Sequence, residues 1–390
     1  MNGDDTLNPA DGSRVSAATD VEAAELSAWI KRQAHELGFQ LVGIAPAVIG
    51  LGADRLARWL ADGRHGEMTY MQAHEPARTN PNLVLEGARS VIMVGLGYAT
   101  TAPAPVRTGF ARISRYAWGR DYHDVIRRKL DELARRLLGR RPGVRCRAVV
   151  DTAPLMERDY GRLAGLGWIG KNTLLLNRRL GSWFFLGALL VDCALVYDLP
   201  FTTDHCGTCT RCLDACPTSA FDGPYQLDPR RCISYLTIEH RSPIGEAVRG
   251  GLGDWVFGCD VCQEVCPWNR DAPAAREPEF EPGPETNPIP IIALLGLGEE
   301  EFRAKFRGTP LFRARRHRLL RNAAIVAANQ GDRNSLPALE ALCGDADPVV
   351  RETARWAVAR LRFEAAATNN GEADSSFPPA HERHEESATS

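Results

Sequence analysis

Eight of the eleven cysteines in this 390-residue chain lie between positions 206 and 266. They form two runs, Cys206-x2-Cys209-x2-Cys212-x3-Cys216-Pro217 and Cys259-x2-Cys262-x3-Cys266-Pro267, with Cys232 between them. A cubane 4Fe-4S cluster needs four convergent thiolates, and two-residue gaps let the chain wrap three of them. The three-residue gap, closed by a helix-breaking proline, throws the fourth thiolate towards a neighbouring cluster. The spacing therefore assigns Cys206, Cys209, Cys212 and Cys266 to one cluster and Cys216, Cys232, Cys259 and Cys262 to a second. Zinc is the alternative, but it takes isolated C-x2-C pairs and leaves the two C-x3-C-P ends unexplained. Cys146, Cys193 and Cys343 lie in strand or helix patterns and are expected to be small buried hydrophobes.

So many thiols without a disulfide framework suit a reducing compartment. The opening MNGDDTLNPADGSRV has no apolar core, and the longest apolar run, Trp183 to Val191, is far short of the ~20 residues that span a bilayer. A cytoplasmic protein with no membrane segment is expected, and nothing in the sequence points to more than a monomer.

The organisation changes three times along the chain. Helical and strand patterns alternate over residues 21–200, as in VEAAELSAWIKRQAHELGF, QLVGIAP and SVIMVGLGY, and predict an α/β domain. Within it Ile126, Leu130, Leu133 and Leu137 form one helical stripe. Residues 201–271 are a small module expected to be held by its clusters rather than by an apolar core. A proline-rich connector, 272–290, leads to residues 291–362, where RNAAIVAAN and RETARWAVA recur 30 residues apart around SLPALEALCG. That period predicts HEAT-like helical repeats. Residues 1–20 and 363–390 are polar and aperiodic and are expected to be disordered tails. The fold expected is thus a mixed α+β and α/β multidomain protein with a ferredoxin-like two-cluster module and terminal helical repeats.

The net charge of −2 conceals an uneven distribution: from Phe302 to Gly331 there is no Asp or Glu. Arg303, Lys305, Arg307, Arg313, Arg315, Arg316, Arg318 and Arg321 all fall in that window, which makes it a candidate anion-binding face. Clusters move electrons but do little chemistry on a substrate alone, so the first domain should hold the place where the electrons are used. No G-x-G-x-x-G follows a strand and no G-x4-G-K-[ST] occurs, which argues against nicotinamide or ATP chemistry.

RYAWGRDYHDVIRRKL (115–130), VVDTAPLMERDYGRLAGLGWIGKNTLLL (149–176), the eight cysteines, RCISYLTIEHR (231–241) and FGCDVCQEVCPWN (257–269) resemble the epoxyqueuosine reductase family over roughly residues 22–362. The resemblance implies a cobalamin-dependent enzyme with two 4Fe-4S clusters. Such an enzyme removes the epoxide oxygen of epoxyqueuosine at the wobble position of tRNAs with GUN anticodons, those for Asp, Asn, His and Tyr. It draws electrons from a low-potential donor that the sequence does not identify. DYHDVI begins like a D-x-H-x-x-G cobalt-ligand loop but carries Ile126 in place of the glycine, in keeping with base-off cobalamin without a histidine ligand; His123 is then a structural residue. By family position Asp151 is the proton donor, a role that requires burial to raise its pKa from ~3.9. Read without the family, Asp151 or Thr152 ahead of Pro154 is a helix N-cap. Arg78, Ser114, Asp151, Leu175, Leu186, Ser234 and Asp260 sit where the family contacts the corrin, with the first cluster as the last relay to cobalt. Trp168 and Lys171 are pocket candidates, or else a strand-edge tryptophan and a solvated lysine. For tRNA the acid-free window supplies the candidates Arg303, Lys305, Arg307, Arg313, Arg315, Arg316 and Arg321, which would neutralise phosphates without reading bases. A corrinoid reductase of a small molecule, similar to reductive dehalogenases, and a non-catalytic electron carrier are the alternatives.

Overall fold

The computed structural model describes residues 9–283 and 286–369. Its first domain is built on a four-stranded sheet in the order β1 (Leu41–Pro46), β2 (Ser90–Gly97), β4 (Phe184–Val191), β3 (Cys146–Val149). Every neighbouring pair is antiparallel. Helices and strands alternate as expected, but the α/β reading is corrected to α+β. The reason lies in burial: all eight positions of β2 are buried, because helices cover both faces of the sheet. A strand buried on both sides reads as a continuous apolar run whether its neighbours are parallel or not.

On one face lie α1 (Pro9–Glu36) and α2 (Tyr122–Arg140). Ile126, Leu130, Leu133 and Leu137 are fully buried against Ile92, Val94 and Leu189. Asp121 caps α2 by accepting the His123 N–H at 3.0 Å. On the other face α3 (Glu157–Leu163) sets Tyr160 among Met93, Val149 and Leu190.

Parts of both segments expected as tails are helical. α1 begins at Pro9, with proline in its first turn and alanine frequent beyond it. The final helix continues to Asn369 through the helix-forming EAAAT. Residues 1–8 and 370–390 lie outside the described residues. No helix among the described residues is long and apolar enough to cross a membrane.

A second sheet stitches the regions together. Strand Phe110–Ile113 of the first domain pairs in parallel with Trp255–Phe257 of the cysteine module and antiparallel with Ile289–Pro290 at the end of the connector. The C-terminal region packs α4 (Arg315–Asn329), α5 (Leu336–Leu342) and α6 (Pro348–Asn369) around one core. Every residue from Arg318 to Ala328 is buried, so α4 is an interior helix.

This burial corrects part of the expected basic face. Arg321 has no solvent exposure, and its guanidinium donates to the carbonyls of Leu236, His240 and Ser242 and to Asn322 Oδ1. Asn322 in turn donates to the carbonyls of Thr237 and Val256. Arg318 bonds to the carbonyls of Arg313 and Ala314, and Arg316 is tied to the Leu297 carbonyl and Asp345. Arg321 and Arg316 therefore hold protein rather than RNA. The window is free of acids only along the sequence; its partners come from other segments.

Replacing Arg321 with alanine removes a buried charge together with the donor to the Leu236, His240 and Ser242 carbonyls, and should destabilise the protein by about 3 kcal/mol or more. Arg303→Ala, which removes only an exposed pair with Glu299, should stay within about 0.5 kcal/mol. Thermal unfolding of the two variants side by side checks this, and equal midpoints would contradict it.

Candidate functional site

After β3 the chain turns sharply at Asp151, which takes a left-handed conformation with φ 45°. Aspartate tolerates this region better than most residues, but it still stores strain and needs partners to hold it. One is local: Glu157 Oε1, in the first turn of α3, accepts the Asp151 backbone N–H at 2.8 Å. The helix cap expected of Asp151 or Thr152 is not formed, because α3 starts five residues further on behind Met156.

The Asp151 side chain meets groups from two other segments. Its Oδ2 accepts the Tyr122 hydroxyl at 2.7 Å and lies 3.3 Å from His123 Nε2 and 3.7 Å from Arg313 Nη1. Tyr122 stacks on Phe185 of β4 with ring centroids 4.2 Å apart. His123 Nδ1 is 2.7 Å from Asp121, so both ring nitrogens are committed to carboxylates. Arg313 sits in the turn before α4 and also binds Glu239 at 2.8 Å. Asp151 nevertheless keeps 48% of its side chain open to solvent. A carboxylate so crowded by neighbours and yet wetted lies on a cleft wall.

Burial alone would raise the Asp151 pKa, but hydrogen bonds from His123 and Tyr122 and the charges of His123 and Arg313 outweigh it. Its carboxyl is held well below the usual carboxylate range, the reverse of the expected shift. Burial lowers the His123 pKa, but its bonds to Asp121 and Asp151 overcome that and push it up to about 9. Burial, reinforced by the Asp151 charge, raises Glu157 to about 8. At neutral pH an anionic Asp151 thus stands between two proton-bearing groups, the separation that marks acid and base roles. Glu157, Tyr122 and Glu239 were not singled out from sequence. The available signal was that Tyr122 and Glu157 lie in the same quoted blocks as His123 and Asp151.

The remaining expected contacts surround this wall. Arg78 lies in the field of Asp151, Glu157 and Tyr70, and its buried Nε has no partner. Leu175 and Leu186 join the apolar cluster around Tyr160. They pack over Gly161, where a Cβ would come within 2.6 Å of Leu175 Cδ2. Asp260 is fully buried; it accepts the Ser114 hydroxyl at 2.5 Å and the Arg115 N–H at 2.7 Å. Ser234 is half-buried beside Cys232.

The cysteines couple in two groups. After burial, the charges of Cys266, Cys206 and Cys209 raise the Cys212 thiol, which reaches about 11. Cys259 and Cys262 are pushed well above the usual thiol value, by burial first, then for Cys259 by Cys262, Cys232 and Asp260 and for Cys262 by Cys232, Asp260, Cys212 and Cys216. Among the described residues no group of three or more His, Cys, Asp or Glu side chains is placed to hold a single metal ion. Trp168 is buried against Cys266 and the Trp268 ring. Lys171 Nζ donates to the carbonyls of Gly207 and Cys209. Both support the first quartet and neither faces Asp151.

Two family models match the chain: epoxyqueuosine reductase QueG, DUF1730, over residues 78–152, and the 4Fe-4S double cluster binding domain over residues 205–269. An epoxyqueuosine reductase of Pseudomonas aeruginosa is 45% identical over 349 residues, which cover 87% of this chain and 95% of that protein. A crystal structure of epoxyqueuosine reductase with an epoxyqueuosine-modified tRNA-Tyr stem loop is 32% identical, with a TM-score of 0.81 over 88% of this chain and 92% of that one. The Bacillus subtilis enzyme, with a catalytic aspartate loop swung out of its active site, is 31% identical, with a TM-score of 0.79 over 90% and 95%. With such identity along nearly its whole described length, the chain belongs to the epoxyqueuosine reductase family.

Proposed function

We propose that this protein reduces epoxyqueuosine to queuosine at the wobble position of tRNAs with GUN anticodons, those for Asp, Asn, His and Tyr. The observation that carries this reading is Asp151, held on an open cleft wall by Tyr122, His123 and Arg313 next to a double-cluster module. Removing the epoxide oxygen breaks two C–O bonds and consumes two electrons and two protons, with the oxygen leaving as water. The electrons come from a low-potential one-electron donor through two 4Fe-4S clusters, on Cys206, Cys209, Cys212 and Cys266 and on Cys216, Cys232, Cys259 and Cys262.

Cobalamin, when bound, would supply the redox chemistry that the clusters alone lack. The residues fit such a group. The orphaned Arg78 Nε can donate to a corrin amide, and the apolar Leu175 and Leu186 can pack against its ring. Neither nitrogen of His123 is available to cobalt while Asp121 and Asp151 hold both. Ser234, half-buried beside Cys232, would add to that lining, whereas the Ser114 and Asp260 side chains are buried and bonded to each other.

Asp151 faces the cleft and passes a proton to the opening oxygen. Because it is anionic as it stands, it acts by relaying a proton from His123, 3.3 Å away. For the RNA, the basic face narrows to the exposed Arg303, Lys305, Arg307 and Arg315, while Arg313 points to Asp151 and Glu239.

Anaerobic protein reconstituted with iron, sulfide and cobalamin should convert an epoxyqueuosine-bearing anticodon stem-loop to queuosine when given a reductant; no product sinks the reading. Asp151→Asn should still bind cobalamin and RNA while turnover falls about a hundredfold or more, and unchanged turnover returns Asp151 to a purely structural role. Neutralising Arg303, Arg307 and Arg315 together should weaken stem-loop binding and flatten its salt dependence. An unchanged slope moves the RNA face elsewhere.

A further inference from the structure

The net reaction takes up two protons, and His123 with Asp151 accounts for the delivery of one. The other titratable group in contact with the Asp151 turn is Glu157, whose Oε1 accepts the Asp151 backbone N–H at 2.8 Å. That bond spans a turn already strained, since Asp151 sits at φ 45° and Thr152 N–H folds back on the Val150 carbonyl. Resting on the function proposed above, we propose that Glu157 is the positioning residue of the proton-donating loop: its carboxyl accepts the Asp151 backbone N–H and so latches the left-handed turn that presents Asp151.

The surroundings suit that task. Glu157 is half-buried in the first turn of α3. The charged and titratable groups that bear on it are Asp151, His123, Tyr122 and Arg78 from other segments and Arg158 from its own helix. Asp151 opposes its ionisation, and Arg158 and His123 favour it, but burial is the largest effect and keeps the proton on. The two adjacent carboxyls therefore divide the work: Asp151 ionises and faces the cleft, while Glu157 stays neutral behind it. When Asp151 gives its proton to the departing oxygen, His123 is the proton-bearing neighbour in contact with its carboxylate that can reload it, while Glu157 holds the turn from the backbone side. Electrons and atoms balance with the donor already named: two electrons in, two protons in, two C–O bonds broken, one water out.

The sign of the linkage follows. Free glutamate titrates near ~4.3, so between there and about 8 the folded protein binds the extra proton. The stability Glu157 contributes is full below ~4.3 and is lost as the pH rises to about 8. Asp151, with its folded value depressed, acts in the opposite direction at the acid end.

Two variants test the latch. Glu157→Gln keeps an oxygen for the Asp151 N–H, so in the cobalamin-loaded enzyme its turnover should stay close to that of the wild type. Glu157→Ala removes the acceptor, and its turnover should fall about a hundredfold as the proton-donating loop is misplaced. Its Asp151 amide should exchange with deuterium at least about tenfold faster than in the wild type or in Glu157→Gln, as expected when a local hydrogen bond is lost. Unchanged turnover or unchanged exchange in Glu157→Ala, or a loss in Glu157→Gln as large as in Glu157→Ala, each overturns the proposal. Exchange needs no substrate, so a wild-type enzyme that makes no queuosine would fail the function above while the latch is still tested.

Discussion

Arg321 carries a charge into a site with no solvent, and much of the architecture follows from how that charge is satisfied. Its acceptors are carbonyls of Leu236, His240 and Ser242, so α4 can seat only on the segment that follows Cys232. A buried guanidinium without those bonds would be strongly unfavourable, which makes the docking of repeats on cysteine module specific as well as stable. Arg249 repeats the device nearby, bonded to the Ile244 carbonyl and Glu352 and stacked over Trp356. With α4 fixed in this way, the turn just before it carries Arg313 to Glu239 and Asp151. A structural arginine thus sets where a functional one can reach.

Asp151 shows how a side chain's chemistry can oppose a simple reading of its burial. Desolvation alone would make it a weak acid, but three donors converge on one oxygen and keep it charged. Protons are held by its neighbours instead, on His123 in front and Glu157 behind. The strained turn is what gives both neighbours access: the side chain points one way and the backbone N–H the other.

What the sequence revealed is what short-range chemistry determines. Ligand spacing in the cysteine runs is local, and so is the stripe from Ile126 to Leu137, which fills the core as its period demands. Sheet direction is not local: β2 is buried on both faces, and that erases the alternation which would have signalled antiparallel pairing. The acid-free window misled for a related reason. It described the sequence neighbours of Arg316 and Arg321, whereas their partners are Asp345 and carbonyls some eighty residues upstream. Asp151 was singled out through the family resemblance, but its charge state depends on residues 122, 123 and 313, which only the fold assembles.

The strand Phe110–Ile113 has a mechanical consequence. One edge belongs to the cysteine module and the other to the connector, and Ser114 follows it directly towards Asp260. Segments that share a strand cannot part like a hinge without breaking backbone hydrogen bonds along its edges, so the cysteine module and the connector are both tied to the first domain through the same four residues.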